Sequence, residues 1–319
     1  MAARRVAILL AIVLGVTACS TEADTRPHPS PITVGEKSFL DEDDVGVIAA
    51  ASKNRDLPID EIIAELEANE FCLPSDVEDG GDIGTVTAMH FVVDGKLREP
   101  CAGTLDDRLI DAWDKLVAIA RHEDVADISL LAGYEACEGC ATLAFVTSLD
   151  EAGTFFLMAI DVTAAQADPD ELLLTLVHEL SHVITQNPRT ELNIGVGPDQ
   201  CDTYYNGSGC FTRNSYAWRW IEEFWSPEDL ARVANDPDLA EGAEDRCTNS
   251  APYTGYYGAT NPEEDFAEAF SAYVFSIELP SVMDAKLAFF DRYPEFVKMR
   301  EQVSKLGLTG LSHSFEGCG

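Results

Sequence analysis

Basic residues are scarce in this chain. Its 319 residues carry 21 lysines and arginines against 57 aspartates and glutamates, a formal net charge of −36. A surface that acidic repels phosphate backbones and anionic headgroups, which argues against nucleic acid or a bare lipid surface as partner. Long apolar runs are missing too. The longest, Val6 to Val16, is too short to span a bilayer. No internal repeat is visible, and C-E-G-C at 137–140 has no second C-x-x-C with which to build a zinc ribbon. Histidine is sparse, with six in the whole chain, so any patterned pair of histidines carries weight.

What is present begins with the N-terminus. Arg4 and Arg5, the apolar run and V-T-A-C ending at Cys19 describe an export signal. The expected divisions are a signal peptide at 1–18 and a tether at 19–40 rich in Pro, Ser and Thr. A part of unassigned role follows at 41–135, and a catalytic region at 136–319. Helical stretches are expected from the acid cluster Asp41–Asp44 and again from Pro58. The acidic segment 76–84 lacks the ligand order of a calcium loop and reads as a turn. Apart from Cys19, eight cysteines remain, an even number suited to disulfides in an oxidising compartment. They allow roughly a hundred connectivities. Cys137/Cys140 and Cys201/Cys210 are the shortest pairs.

Strands are expected at 85–93, 128–131, 142–147 and 154–160, the last two as a hairpin, with a helix at 105–121. From 168 onward the pattern is helical. Strands first and helices later imply an α+β fold.

The segment D-P-D-E-L-L-L-T-L-V-H-E-L-S-H-V-I-T-Q-N-P, 168–188, contains H-E-x-x-H. Asp168 can cap a helix whose first position is Pro169, and Pro188 closes it. Leu173, Val177, Leu180 and Ile184 share one face, and His178, Glu179 and His182 lie on the other. Histidines four apart project together and can grip one metal ion, with Glu179 beside them as a base toward water. On the order of 0.01 chance matches are expected in a chain with so few histidines.

Two histidines leave zinc short of a ligand. The continuation V-I-T-Q-N-P has neither the glycine nor the histidine of the metzincin pattern. A carboxylate on a later helix remains. Asn261 and Pro262 open such a helix, with Phe266, Phe270 and Tyr273 on its core face and Glu264 and Glu268 on the opposite stripe. Glu264 is the preferred ligand, the alternative being a capping-box partner of Asn261. Glu268, one turn on, is placed to support the ligands.

The stretch Y-G-A-T-N-P-E-E-D-F-A-E-A-F, Tyr257 to Phe270, resembles the peptidase domain of anthrax lethal factor, and the Pro-Pro endopeptidases share its tyrosine-to-glutamate spacing. With the aromatic stretch Ser215 to Trp225 and F-F-x-x-Y-P-E-F-V-K at Phe289 to Lys298, the chain also resembles bacterial lipoproteins described as zinc-binding metallopeptidases. The resemblance, over roughly 155–300, implies a zincin-like fold of gluzincin type. In that fold a small mixed sheet packs on the H-E-x-x-H helix and a mainly helical part follows. It also implies zinc on His178, His182 and Glu264, a Glu268 that orients a ligand histidine, and a Tyr257 that stabilises an oxyanion. V-T-A-C resembles a lipobox, which implies lipidation of Cys19, a cell-surface or periplasmic location and no other attachment to the membrane. The activity expected is hydrolysis of peptides or proteins. The alternatives are a surface-binding lipoprotein with a structural site, and a zinc amidase acting on cell-wall peptides.

Overall fold

Strand-forming residues concentrate between 84 and 161, and the computed structural model gathers them into one five-stranded sheet. The structure describes residues 84–311 except 138, 150–152, 154, 189, 236–238 and 250–251, together with Ala64, Cys72, Phe315 and Cys318. The expected signal peptide, the tether with Cys19, the acidic turn before Gly84 and the helical stretches from Asp41 and Pro58, save a helical Ala64, lie outside the described residues.

Strand β1 (Gly84–Val93) turns into β2 (Lys96–Gly103) through Asp94 and Gly95, both at positive φ, 54° and 72°. Such a pair matches the right-handed twist of the strands it joins. Helices α1 (Asp107–Ile119) and α2 (His122–Val125) lead to β3 (Ile128–Ala136), β4 (Ala144–Ser148) and β5 (Phe156–Asp161). The sheet order is β2-β1-β3-β5-β4, with β3 and β5 parallel and the other neighbours antiparallel. The expected hairpin is thus β4–β5, and β4 ends the sheet. Residues 128–134 of β3 are buried throughout, as a central strand covered on both faces requires. The boundary drawn at 135/136 falls at the end of β3, which pairs with β1 on one side and β5 on the other. Residues 84–135 therefore share a sheet with the segment that follows.

Helix α3 (Val162–Ala167) runs into α4 (Pro169–Thr185), the H-E-x-x-H helix. The Asp168 carboxylate accepts the Glu171 N–H at 3.2 Å, and Pro169 stands in the first turn. Every residue from Glu171 to Thr185 is buried, because α4 is enclosed between the sheet, α1 and a later helix. A short hairpin, β6 (Leu192–Ile194) and β7 (Gly209–Phe211), precedes α5 (Tyr216–Phe224), α6 (Pro227–Asn235) and α7 (Leu239–Asn249). Then come α8 (Pro262–Phe275), α9 (Asp284–Phe290) and α10 (Pro294–Leu306).

Helix α8 is the second pillar of the site. Asn261 accepts the N–H groups of Glu263 and Glu264, both at 3.0 Å. Its apolar face, Phe266 and Phe270, meets Trp220 of α5, Phe289 and Phe290 of α9 and Phe296 of α10. Asp265 points into this aromatic mass. It takes Lys286 Nζ at 2.6 and 2.7 Å and the indole N–H groups of Trp220 and Trp225 at 2.9 Å. A buried ion pair survives only with such saturation, and this one pins the back of α8 so that its other side faces α4.

The eight cysteines form four disulfides: Cys72–Cys101, Cys137–Cys140, Cys201–Cys210 and Cys247–Cys318. Several disulfides indicate an oxidising, extracellular environment. No described helix is long and apolar enough to cross a membrane.

Candidate metal centre

Four residues apart on α4, the rings of His178 and His182 leave the helix on the same side and meet at 5.1 Å between centroids. Their Nε2 atoms are 3.3 Å apart. Across the gap Glu264 Oε2 of α8 lies 2.9 Å from His178 Nε2 and 3.3 Å from His182 Nε2. Glu264 therefore sends its side chain to the histidines while its backbone N–H is capped by Asn261, which removes the capping-box reading. All three residues are buried. They form the one group of three His, Cys, Asp or Glu residues, among the described residues, that could hold a metal ion.

The spacing can be tested against metal chemistry. Bonds of about 2.0–2.1 Å arranged tetrahedrally put neighbouring donors roughly 3.3 Å apart. Two of the three separations match and the third is slightly shorter. The electrostatics ask for a cation as well. Burial disfavours a charged His182, yet the charge and hydrogen bond of Glu264, then the charge of Glu179, raise it to about 9. Burial alone would lift the Glu264 carboxyl, but His182 and His178 offset it and hold the group well below the usual range. Both shifts favour positive charge between the three side chains, which a metal cation could supply.

Glu179, between the histidines in sequence, is not one of the converging three. Its Oε2 accepts the Val146 N–H of β4 at 3.0 Å. Its carboxyl is raised by burial, with the charges of His178 and His182 pulling the other way. The β4 register explains the reach. Leu143 O and Leu149 N bond toward β5 residues, so Val146 presents its N–H on the side away from β5.

Tyr257 is half-buried, and its ring lies 5.8 Å from that of His178. Burial pushes its hydroxyl well above the usual tyrosine range. The charges of Glu264, Glu179 and Glu268 and a hydrogen bond to Glu264 add to this. Glu268 is buried on the same stripe as Glu264, but its Oε2 accepts the Gly258 N–H at 3.0 Å and bonds to neither ligand histidine. Its implied role of orienting a ligand histidine gives way to support of the turn that carries Tyr257. Burial pushes its carboxyl up to about 8.

Sequence reasoning missed Val146, because the group Glu179 uses is a backbone N–H with no residue signature. It also missed Lys286 and Arg246, two basic residues sunk in the interior. The overall shortage of basic residues was the one signal the sequence offered. No family model, curated protein or solved structure matches the chain.

Proposed function

We propose that this chain is a zinc-dependent peptidase, exported and held to the membrane by a lipid on Cys19. The observation that carries the reading is the buried convergence of His178, His182 and Glu264, with Glu179 on the same helix as the two histidines. The resemblance to the lethal factor and Pro-Pro endopeptidase domains supports a zincin-like arrangement, and the four disulfides support export.

Zinc held by His178, His182 and Glu264 would supply a Lewis acid and bring the pKa of water toward neutrality. Glu179 does the proton work. It accepts a proton from the attacking water and returns it to the leaving amine, a role favoured by a carboxyl raised by burial. Its bond to Val146 fixes one oxygen and leaves Oε1 for the exchange. Tyr257, protonated because its hydroxyl is pushed up, donates to the oxyanion as the carbonyl becomes tetrahedral.

A peptide substrate suits the edge of the sheet. Strand β4 has no strand partner beyond Val146 among the described residues, so an extended chain laid along that side passes Glu179. Profiling a peptide library with zinc-loaded protein tests the reading. Cleavage should stop on chelation and return with zinc. Cleavage indifferent to the chelator, or none at full zinc occupancy, contradicts it.

A further inference from the structure

We propose that Arg246 is a positioning residue for Tyr257, acting with Glu268 as the two jaws of a clamp on the turn between them. The proposal rests on the reading of Tyr257 as the oxyanion donor.

Arg246 lies on α7 and is completely buried. Burying a guanidinium is costly unless its donors are engaged. Its Nε donates to Ala259 O at 2.6 Å and its Nη2 to Thr260 O at 2.9 Å. Two consecutive backbone carbonyls are thus taken by one planar fork, a geometry a lysine cannot reproduce.

Glu268 grips the other side of the same turn through the Gly258 N–H at 3.0 Å. The approach is close enough to require glycine, since a Cβ at 258 would stand 2.6 Å from Glu268 Oε2. Between the jaws the turn is tied to itself. Tyr257 O accepts from Thr260 N at 3.0 Å and from Thr260 Oγ1 at 2.6 Å, and Ala259 N donates to Tyr256 O at 3.1 Å. Immediately downstream Asn261 caps α8 and holds the backbone of Glu263 and Glu264 by its own side chain, separately from the clamp. Neither Arg246 nor Glu268 bonds to a ligand histidine. What they share is the backbone on the C-terminal side of Tyr257.

A donor displaced by about 1 Å can cost roughly 100-fold in rate. Arg246→Lys should therefore lower kcat by roughly 10- to 100-fold, with KM and zinc content unchanged. In a Tyr257→Phe background the same change should cost less than about 2-fold, because the group it positions is gone. Gly258→Ala forces the turn from the opposite jaw, should show the same pattern, and serves if Arg246→Lys fails to fold. A second readout needs no activity. With 3-fluorotyrosine at position 257 of the metal-free protein, wild type should give one fluorine resonance that shifts or splits in either variant. Losses that multiply in the double variant overturn the proposal, as does a fall in zinc content or a rise in KM in place of kcat. An unmoved fluorine resonance in the variants also overturns it. If wild type proves inactive, the peptidase reading fails, and the fluorine spectra alone decide whether Arg246 positions Tyr257.

Discussion

Glu264 and Tyr257 both reach the candidate metal site, yet their losses should read differently. Glu264 Oε2 is the acceptor toward which both histidines converge, so removing it leaves two nitrogen donors facing an empty corner. Glu264→Ala should fail to hold zinc through mild chelation. Tyr257 adds nothing to the triad and lies beside the His178 ring. Tyr257→Phe should keep its zinc and lose roughly 100-fold in turnover, the size of effect expected for one oxyanion donor. Zinc content after dialysis, measured beside kcat, separates the two. If Glu264→Ala keeps wild-type affinity, the ligand assignment is wrong. Glu179 stands apart from both, since its carboxylate is held by β4 and contributes no atom to the converging three.

At the scale of elements, the site is made by pressing α4 against α8, and the first turn of α8 is where register matters. Asn261 holds the N–H groups of Glu263 and Glu264. Asn261→Ala should cost about 1 kcal/mol of stability, as an N-cap loss does. It should also weaken zinc binding, because the freed turn carries Glu264. Thermal melting and zinc titration on the same sample check this, and a stability loss with zinc affinity unchanged would separate the cap from the site. The parts of the fold that were legible are those written in short-range spacing. Asp168-Pro169 and Asn261-Pro262 mark the starts of α4 and α8, and the i, i+4 histidines mark the face that could hold a metal ion. Strand β2 was not read, because its charged and exposed sequence K-L-R-E-P hides the alternation and only Asp94-Gly95 announces it. The hairpin β6–β7 is three residues a side and depends on its partner more than on its own pattern. The contacts of Asp265 with Lys286 and of Arg246 with the 259–260 carbonyls link distant segments, and no local periodicity encodes them.

Over the whole molecule, acid is the dominant charge, and some of it is buried outside the His178, His182 and Glu264 group. Glu191, between α4 and β6, accepts the Tyr216 N–H at 2.7 Å at the start of α5. Burial pushes its carboxyl up to about 7 from the ordinary 4.5, although Tyr216, Thr190, Arg121 and Arg219 oppose the shift. A carboxyl raised in the folded state binds its proton more tightly there than in the unfolded chain. Its contribution to stability is complete below pH 4.5 and is lost as the pH rises through 7. Glu191→Gln keeps the acceptor without the charge, so its melting midpoint should fall less than that of wild type between about pH 5 and pH 8. Parallel curves would remove Glu191 from the pH response.

The central claim is that Glu179 is the base beside a metal it does not ligate. Its most direct test is peptide turnover by wild type and Glu179→Gln, each loaded with about one zinc per chain. The account predicts that the variant retains its zinc and loses turnover by a factor on the order of 1000 or more. Equal turnover at equal zinc content would contradict it.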